Sequence, residues 1–130
     1  MCFYRMSTHR CSDVPITVYK VMVKVRPGQV NSVYYPRKLP YCEKCTISAA
    51  FPLVSNETID DIYSLYGSIV HAYTSLSRAR EAKPRICRYT DWRSDCLVIV
   101  KCEIPPGVEY WLGYDGEIAA KEMKITAIHL

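Results

Sequence analysis

Several signatures of well-marked enzymes are missing from this chain of 130 residues. Its five glycines are scattered, so no glycine-rich loop for a phosphate can be read from them. It also has no HExxH motif, no paired-carboxylate motif and no Ser/His/Asp order, and no spacing supports Cys–His catalysis. These absences favour a binding protein over an enzyme.

Long apolar runs and a secretion signal are also missing. Residues 1–8 contain no apolar core and no small-residue cleavage site. The longest uncharged stretch, residues 46–56, is too short to span a bilayer and contains Pro52. We therefore expect a cytoplasmic protein without membrane contact, whose seven cysteines are reduced thiols.

The sequence lacks the second cysteine pair that a structural zinc site needs. Cys42 and Cys45 have the CxxC spacing that lets two thiolates reach one tetrahedral metal ion. The later cysteines, Cys87, Cys96 and Cys102, are too widely spaced to form a second pair. The residues after the motif favour a strand, whereas a thioredoxin-like redox pair has its first cysteine at a helix N-terminus, so such chemistry is not expected here. We expect a pair of ordinary thiols, no bound metal and no cofactor.

The composition is that of a globular domain, with 49% hydrophobic and 23% charged residues. Residues 1–15 lack periodicity and predict a loose arm, and residues 16–130 predict one domain. The fold class is α+β, with a strongly bent, mostly antiparallel sheet and two short helices. The predicted strands are 16–25, 69–73 and 96–103, followed by two more between 108 and 128; the predicted helices are 56–67 and one that begins near residue 76 and ends before Pro84.

A candidate ligand site lies on the strand around His71. Alternation places His71 and Tyr73 on one face of that strand, and Thr74 or Ser75 then caps the helix that follows. Glu117 comes after a glycine at a turn tip, and we predict that it approaches His71 across a surface cleft. His71 would then contact a hydroxyl or phosphate group. The alternative is that these are ordinary structural residues.

Basic residues are concentrated in one stretch of a chain whose net charge is only +4. Such a cluster attracts an anion, a phosphate or a nucleic acid, or else forms a solvated helix face. Its six members are Arg78, Arg80, Lys83, Arg85, Arg88 and Arg93.

Two resemblances follow from these motifs. The chain from Val18-Tyr-Lys-Val21 through Gly67-x-x-x-His71-x-Tyr-x-Ser75 to Ile104-Pro-Pro-Gly107 resembles uncharacterised small proteins of gut anaerobic bacteria and their phages. The order of its strands also resembles the ADP-ribosyltransferase fold. That resemblance implies that His71, Tyr73 and Ser75 match the middle element and Glu117 the last. Lys20 stands nearest to the missing first-strand Arg or His.

The sequence therefore predicts a small cytoplasmic binding module, related to phage proteins through the first resemblance. Its ligand site comprises Lys20, His71, Tyr73, Ser75 and Glu117. The partner is a nucleotide-like or NAD-derived small molecule, or a segment of a host protein. One alternative is an ADP-ribosyltransferase-like enzyme, in which Glu117 orients the nicotinamide ribose. The other is a nucleic-acid-binding protein that uses residues 78–93.

Overall fold

The computed structural model describes residues 10–34, 37–48, 70–113 and 116–128. Within these residues the chain forms eight strands, one α-helix and one 3₁₀ turn, which makes it an α+β protein. The elements are β1 Ile16–Arg26, β2 Gln29–Asn31, β3 Thr46–Ser48, β4 Val70–Tyr73, α1 Leu76–Tyr89, the 3₁₀ turn Ser94–Cys96, β5 Leu97–Ile104, β6 Tyr110–Leu112, β7 Glu117–Ala120 and β8 Glu122–Ala127.

All eight strands belong to one antiparallel sheet in the order β3-β8-β5-β1-β4-β7-β6, with β2 paired to β1 beside this path. The two strands with the most β-branched residues, β1 and β5, pair continuously from Ile16↔Ile104 to Val23↔Leu97. They lie at the centre of the sheet, as the sequence predicts.

The connection between β7 and β8 requires the sheet to bend. Only Lys121 separates these strands, yet β4, β1 and β5 stand between them in the sheet order. Strands lie about 4.8 Å apart, so a flat sheet would hold β7 and β8 roughly 19 Å apart. A connection of two peptide units spans only about 7 Å. The sheet is therefore bent, so that the end of β7 lies near the start of β8, which agrees with the predicted bend.

The curled sheet has an inner and an outer core. The inner core collects side chains from seven of the strands, including the fully buried Val18, Met22 and Val100. The outer core is smaller and packs α1 against β1, β4 and β5 through residues such as Val21, Val23 and Leu97. Because successive side chains of a strand point to opposite faces, β1 and β5 supply both cores.

Helix α1 is longer than the sequence predicts. The predicted end before Pro84 is wrong, because the helix continues through this proline to Tyr89. Pro84 lies on the exposed face, where water can satisfy the carbonyl that loses its partner. The opposite face buries Ala79, Ala82 and Ile86, and this packing overrides the helix-breaking tendency of proline.

The chain differs from the sequence prediction in three further places. The short strands β2 and β3 were not expected, and the last part of the chain holds four strands rather than three. The burial of β1 ends at Val23, so Val25 is 45% exposed.

The predicted helix over residues 56–67 lies outside the described residues. Residues 10 and 12, at the end of the predicted arm, hydrogen-bond to Tyr110 and Gly107.

Candidate functional site

Lys20 occupies an unexpected position, half-buried on the inner face of β1. It lies on the same face of β1 as Val18 and Met22. Its Nζ donates to the backbone oxygen of His71 at 2.8 Å. Strands β1 and β4 pair at a single position, so this hydrogen bond is a further link between them. Burial lowers the pKa of Lys20 to about 8.

The structure places His71, Tyr73 and Glu117 together on the outer face. Tyr73 pairs with Glu117 across β4 and β7, and His71 pairs with Ala119 one step further along. His71 and Glu117 are therefore diagonal neighbours on one face. Burial, followed by the charge of Lys20, lowers the pKa of His71 to about 3, so its imidazole is neutral at physiological pH.

Glu117 is the first residue of β7 and is buried, although the sequence indicates a turn tip. Its side chain is 7% exposed and forms an ion pair at 3.8 Å with Arg85 of α1. The same guanidinium donates to the Tyr73 hydroxyl at 3.3 Å. Burial raises the pKa of Tyr73 to about 12, so this hydroxyl stays protonated. Arg85 therefore ties α1 to β4 and β7.

Ser75 and Gly116 hold the start of α1 against this cluster. Ser75 is the N-cap, and its Oγ accepts from the backbone N–H of Arg78 at 3.3 Å. Gly116 has a φ of +75°, and a Cβ there would lie 3.0 Å from Arg78 Cγ. Its carbonyl accepts from the N–H of Thr74 at 2.8 Å. The predicted role of Ser75 as a helix cap is confirmed.

The predicted ligand residues are thus divided among three places. His71, Tyr73 and Glu117 share the outer face, Lys20 lies on the inner face, and Ser75 caps α1. Glu117 is held by Arg85 rather than standing free at the wall of a cleft. Ligand binding by these five residues stays a prediction.

A groove lies elsewhere, between α1 and β5. Its volume is about 510 Å³. Leu97 and Ile99 point to one face of β5 and Val98 points to the other. A cavity that touches all three must lie beside the edge of the strand. We call it the basic groove and define it by its lining residues: Leu76, Arg80, Lys83, Leu97, Val98, Ile99 and Ile128.

This edge of β5 is open because β8 pairs with only the second half of the strand. The pairing covers Lys101 to Glu103. Among the described residues, no strand pairs with β5 between Leu97 and Val100 on that side. The N–H of Leu97 donates to Ser94 rather than to β1. By antiparallel alternation, the N–H and C=O groups of Ile99 therefore face the basic groove.

The helix supplies the charged wall of the groove. Leu76, Arg80 and Lys83 follow i, i+4, i+7 spacing, so they form one stripe along α1. No ion pair joins Arg80 or Lys83 to a carboxylate in the part of the chain that the structure describes. Arg78 and Arg85 lie on the opposite flank, beside Gly116 and Glu117. The predicted basic cluster is thus divided between two sides of the helix.

Sequence reasoning did not identify the groove. The signal for its wall was the i, i+4, i+7 spacing of Leu76, Arg80 and Lys83, which lies within the helix that the sequence predicts before Pro84. No sequence signal marks its floor, since the open edge depends on how far β8 extends along β5.

The described residues hold no group of three or more His, Cys, Asp or Glu side chains that could bind a metal ion. Nor does this part of the chain include a helix with the length and apolar character needed to cross a membrane. The absence of a bound metal stays a prediction.

Together the fold and the groove define an α+β protein in which, among the described residues, one edge of β5 is unpaired beside a basic helix. No protein-family model, curated protein or solved structure matches this chain. The resemblances to phage-related proteins and to ADP-ribosyltransferases therefore stay predictions.

Proposed function

We propose that this protein is a small binding module that holds an extended, acidic segment of a partner protein in the basic groove. The observation that carries the proposal is the position of the groove beside the open edge of β5. An exposed strand edge presents backbone donors and acceptors at the spacing that a further strand needs. Peptide-binding domains use such edges to add a strand to their sheet.

The walls of the groove match such an occupant. Ile99 offers backbone hydrogen bonds, and Leu76 and Val98 offer aliphatic contact. Arg80 and Lys83 give the groove a positive charge, which selects a segment with carboxylates on the side that faces α1. In the setting that the sequence resemblance suggests, the segment belongs to a host protein.

A nucleotide-like ligand fits the groove less well. Its phosphate could contact Arg80 and Lys83, but the seven lining residues include no aromatic side chain on which a base would stack. The outer-face cluster around Glu117 offers a nucleotide less space than the groove, because the Glu117 carboxylate is buried beside Arg85. This geometry also disfavours the transferase alternative, in which Glu117 must reach a ribose hydroxyl.

Helix α1 does not offer a nucleic acid one continuous basic surface. Arg80 and Lys83 face the groove, whereas Arg85 is held by Glu117 and Arg78 pairs with Glu81 at 3.3 Å. Two separated groups of cations neutralise fewer phosphates than one aligned stripe.

Titration calorimetry with a short acidic peptide, in which valine alternates with glutamate, tests the proposal. We expect binding that weakens as salt rises. Arg80→Gln and Lys83→Gln should each weaken it about two- to fivefold, as partly exposed ion pairs do. Arg88→Gln is the matched control, because Arg88 is exposed on the same helix and does not line the groove.

A second peptide with methylated amides at alternate positions separates strand addition from simple charge attraction. It keeps the carboxylates but loses half of its backbone donors, so it should bind far more weakly. Equal affinity for both peptides would contradict strand addition. Binding of adenosine monophosphate, with no binding of either peptide, would favour the nucleotide alternative and overturn the proposal.

A further inference from the structure

The CxxC motif forms a tight turn with both sulfur atoms on one side. The N–H of Cys45 donates to the carbonyl of Cys42 at 3.1 Å, and Lys44 between them has a φ of +71°. Such a turn holds its end Cα atoms within about 7 Å of each other. Disulfides join Cα atoms roughly 4.4–6.8 Å apart, so the backbone already has a suitable span.

The two sulfur atoms are in hydrogen-bond contact. Cys42 Sγ lies 3.5 Å from Cys45 Sγ. A disulfide bond is about 2.05 Å long, so the sulfurs must approach by roughly 1.5 Å. Cys42 is exposed and Cys45 is half-buried, which leaves the Cys42 side chain free to rotate toward its neighbour.

The sheet holds this turn in place. The N–H of Lys44 donates to the carbonyl of Ile125 at 2.8 Å, and the N–H of Ile125 donates to the carbonyl of Cys45 at 2.9 Å. Glu43 accepts from the N–H of Ile128 at 3.4 Å. The two thiols are thus presented by a fixed backbone, which lowers the entropy cost of joining them.

The two thiols differ in acidity. The N–H of Cys42 donates to Cys45 Sγ at 3.3 Å and is the main cause of the lowered pKa of Cys45. The hydrogen bond with Cys45 is the main cause of the raised pKa of Cys42. The guanidinium of Arg37, which lies 3.7 Å from the centre of the Tyr41 ring, also favours the Cys45 thiolate.

We propose that Cys42 and Cys45 form a redox-active dithiol, which a small-molecule disulfide of the glutathione class oxidises to an intramolecular disulfide. The Cys45 thiolate attacks one sulfur of the small molecule, whose S–S bond breaks and releases one thiol. Cys42 then loses its proton and attacks Cys45 Sγ, which releases the second thiol. The protein loses two electrons and two protons, and the small molecule gains them.

Incubation of the full chain with mixtures of reduced and oxidised glutathione, followed by acid quenching and mass spectrometry, tests the proposal. The peptide that contains both cysteines should lose the mass of two hydrogen atoms. In Cys42→Ser, a glutathione adduct should accumulate on Cys45, roughly tenfold faster than on the exposed control Cys11. Cys45→Ser should leave Cys42 no more reactive than Cys11.

Two results would overturn the proposal. One is a wild-type protein that accumulates glutathione adducts without forming the internal disulfide. The other is Cys45 in the Cys42→Ser variant reacting no faster than Cys11. Thermal unfolding of both serine variants, expected to match the wild type, confirms that any loss of reactivity is chemical. None of these readouts depends on the basic groove.

Discussion

Among single residues, Lys20 makes stability depend on pH. Burial lowers its pKa from 10.5 to about 8 in the folded protein. Below pH 8 the lysine is protonated in both the folded and the unfolded protein, so it does not make the unfolding free energy vary with pH. Between these two pKa values the unfolded chain keeps a proton that the folded protein has lost, so stability rises with pH.

Lys20→Met removes this dependence. From about pH 7 to about pH 9, the wild type should gain about 1 kcal/mol of unfolding free energy relative to this variant. Urea unfolding at several pH values measures the difference. Lys24→Met, at an exposed site on the same strand, should follow the wild type. Parallel curves for the wild type and Lys20→Met would show that Lys20 is not buried as described.

Arg85 is the second residue with a large expected effect. Arg85→Met removes a partner from the buried carboxylate of Glu117 and a donor from the Tyr73 hydroxyl. We expect a loss of about 1–3 kcal/mol in the free energy of unfolding. The matched control is Arg78→Met, whose partner Glu81 is exposed and whose loss should cost less than about 1 kcal/mol. Equal effects in urea unfolding would mean that the Arg85 pair is no stronger than a surface pair.

At the scale of elements, α1 carries a proline in its interior. Pro84 deprives the helix of one hydrogen bond, and its ring lies on the exposed face of the helix among the described residues. Pro84→Ala should therefore raise the free energy of unfolding by about 1–2 kcal/mol. Thermal unfolding beside Arg88→Ala, an exposed control on the same helix, measures this gain. A destabilised Pro84→Ala variant would show that the proline itself stabilises α1.

The sequence predicts elements well where local preference and packing agree. The β-branched residues of β1 and β5 predict both central strands, and Ser75 predicts the start of α1. The end of α1 could not be predicted, because burial of Ala82 and Ile86 outweighs the preference of Pro84. The strands β2 and β3 have three residues each, too few to show a period.

The arrangement of the predicted ligand residues around His71 was predictable only in part, because it depends on contacts between residues that are remote in sequence. Alternation correctly places His71 and Tyr73 on one face. It does not reveal that Lys20 points to the inner face, since nothing local shows which face of a two-sided strand is polar. The partner of Glu117 is also remote in sequence, because Arg85 reaches it from a helix that crosses the sheet.

At the scale of the whole molecule, the short pairing of β8 with β5 leaves one edge of β5 unpaired among the described residues. The bend brings β8 back to β5 after a connection of one residue, and β8 then pairs with β5 from Glu103 to Lys101 only. On the side away from β1, the first half of β5 is left beside α1 with no paired strand among the described residues. Strand addition there is the central claim of our account.

Amide hydrogen exchange at Ile99, followed by NMR with and without the acidic peptide, tests this claim most directly. The Ile99 N–H faces the groove, so it should exchange quickly in the free protein and at least about tenfold more slowly with saturating peptide. Val98 and Val100 are internal controls, because their amides face β1 and should be protected in both states. An Ile99 amide that the peptide leaves unchanged, or that is already as protected as Val98 in the free protein, would contradict the account.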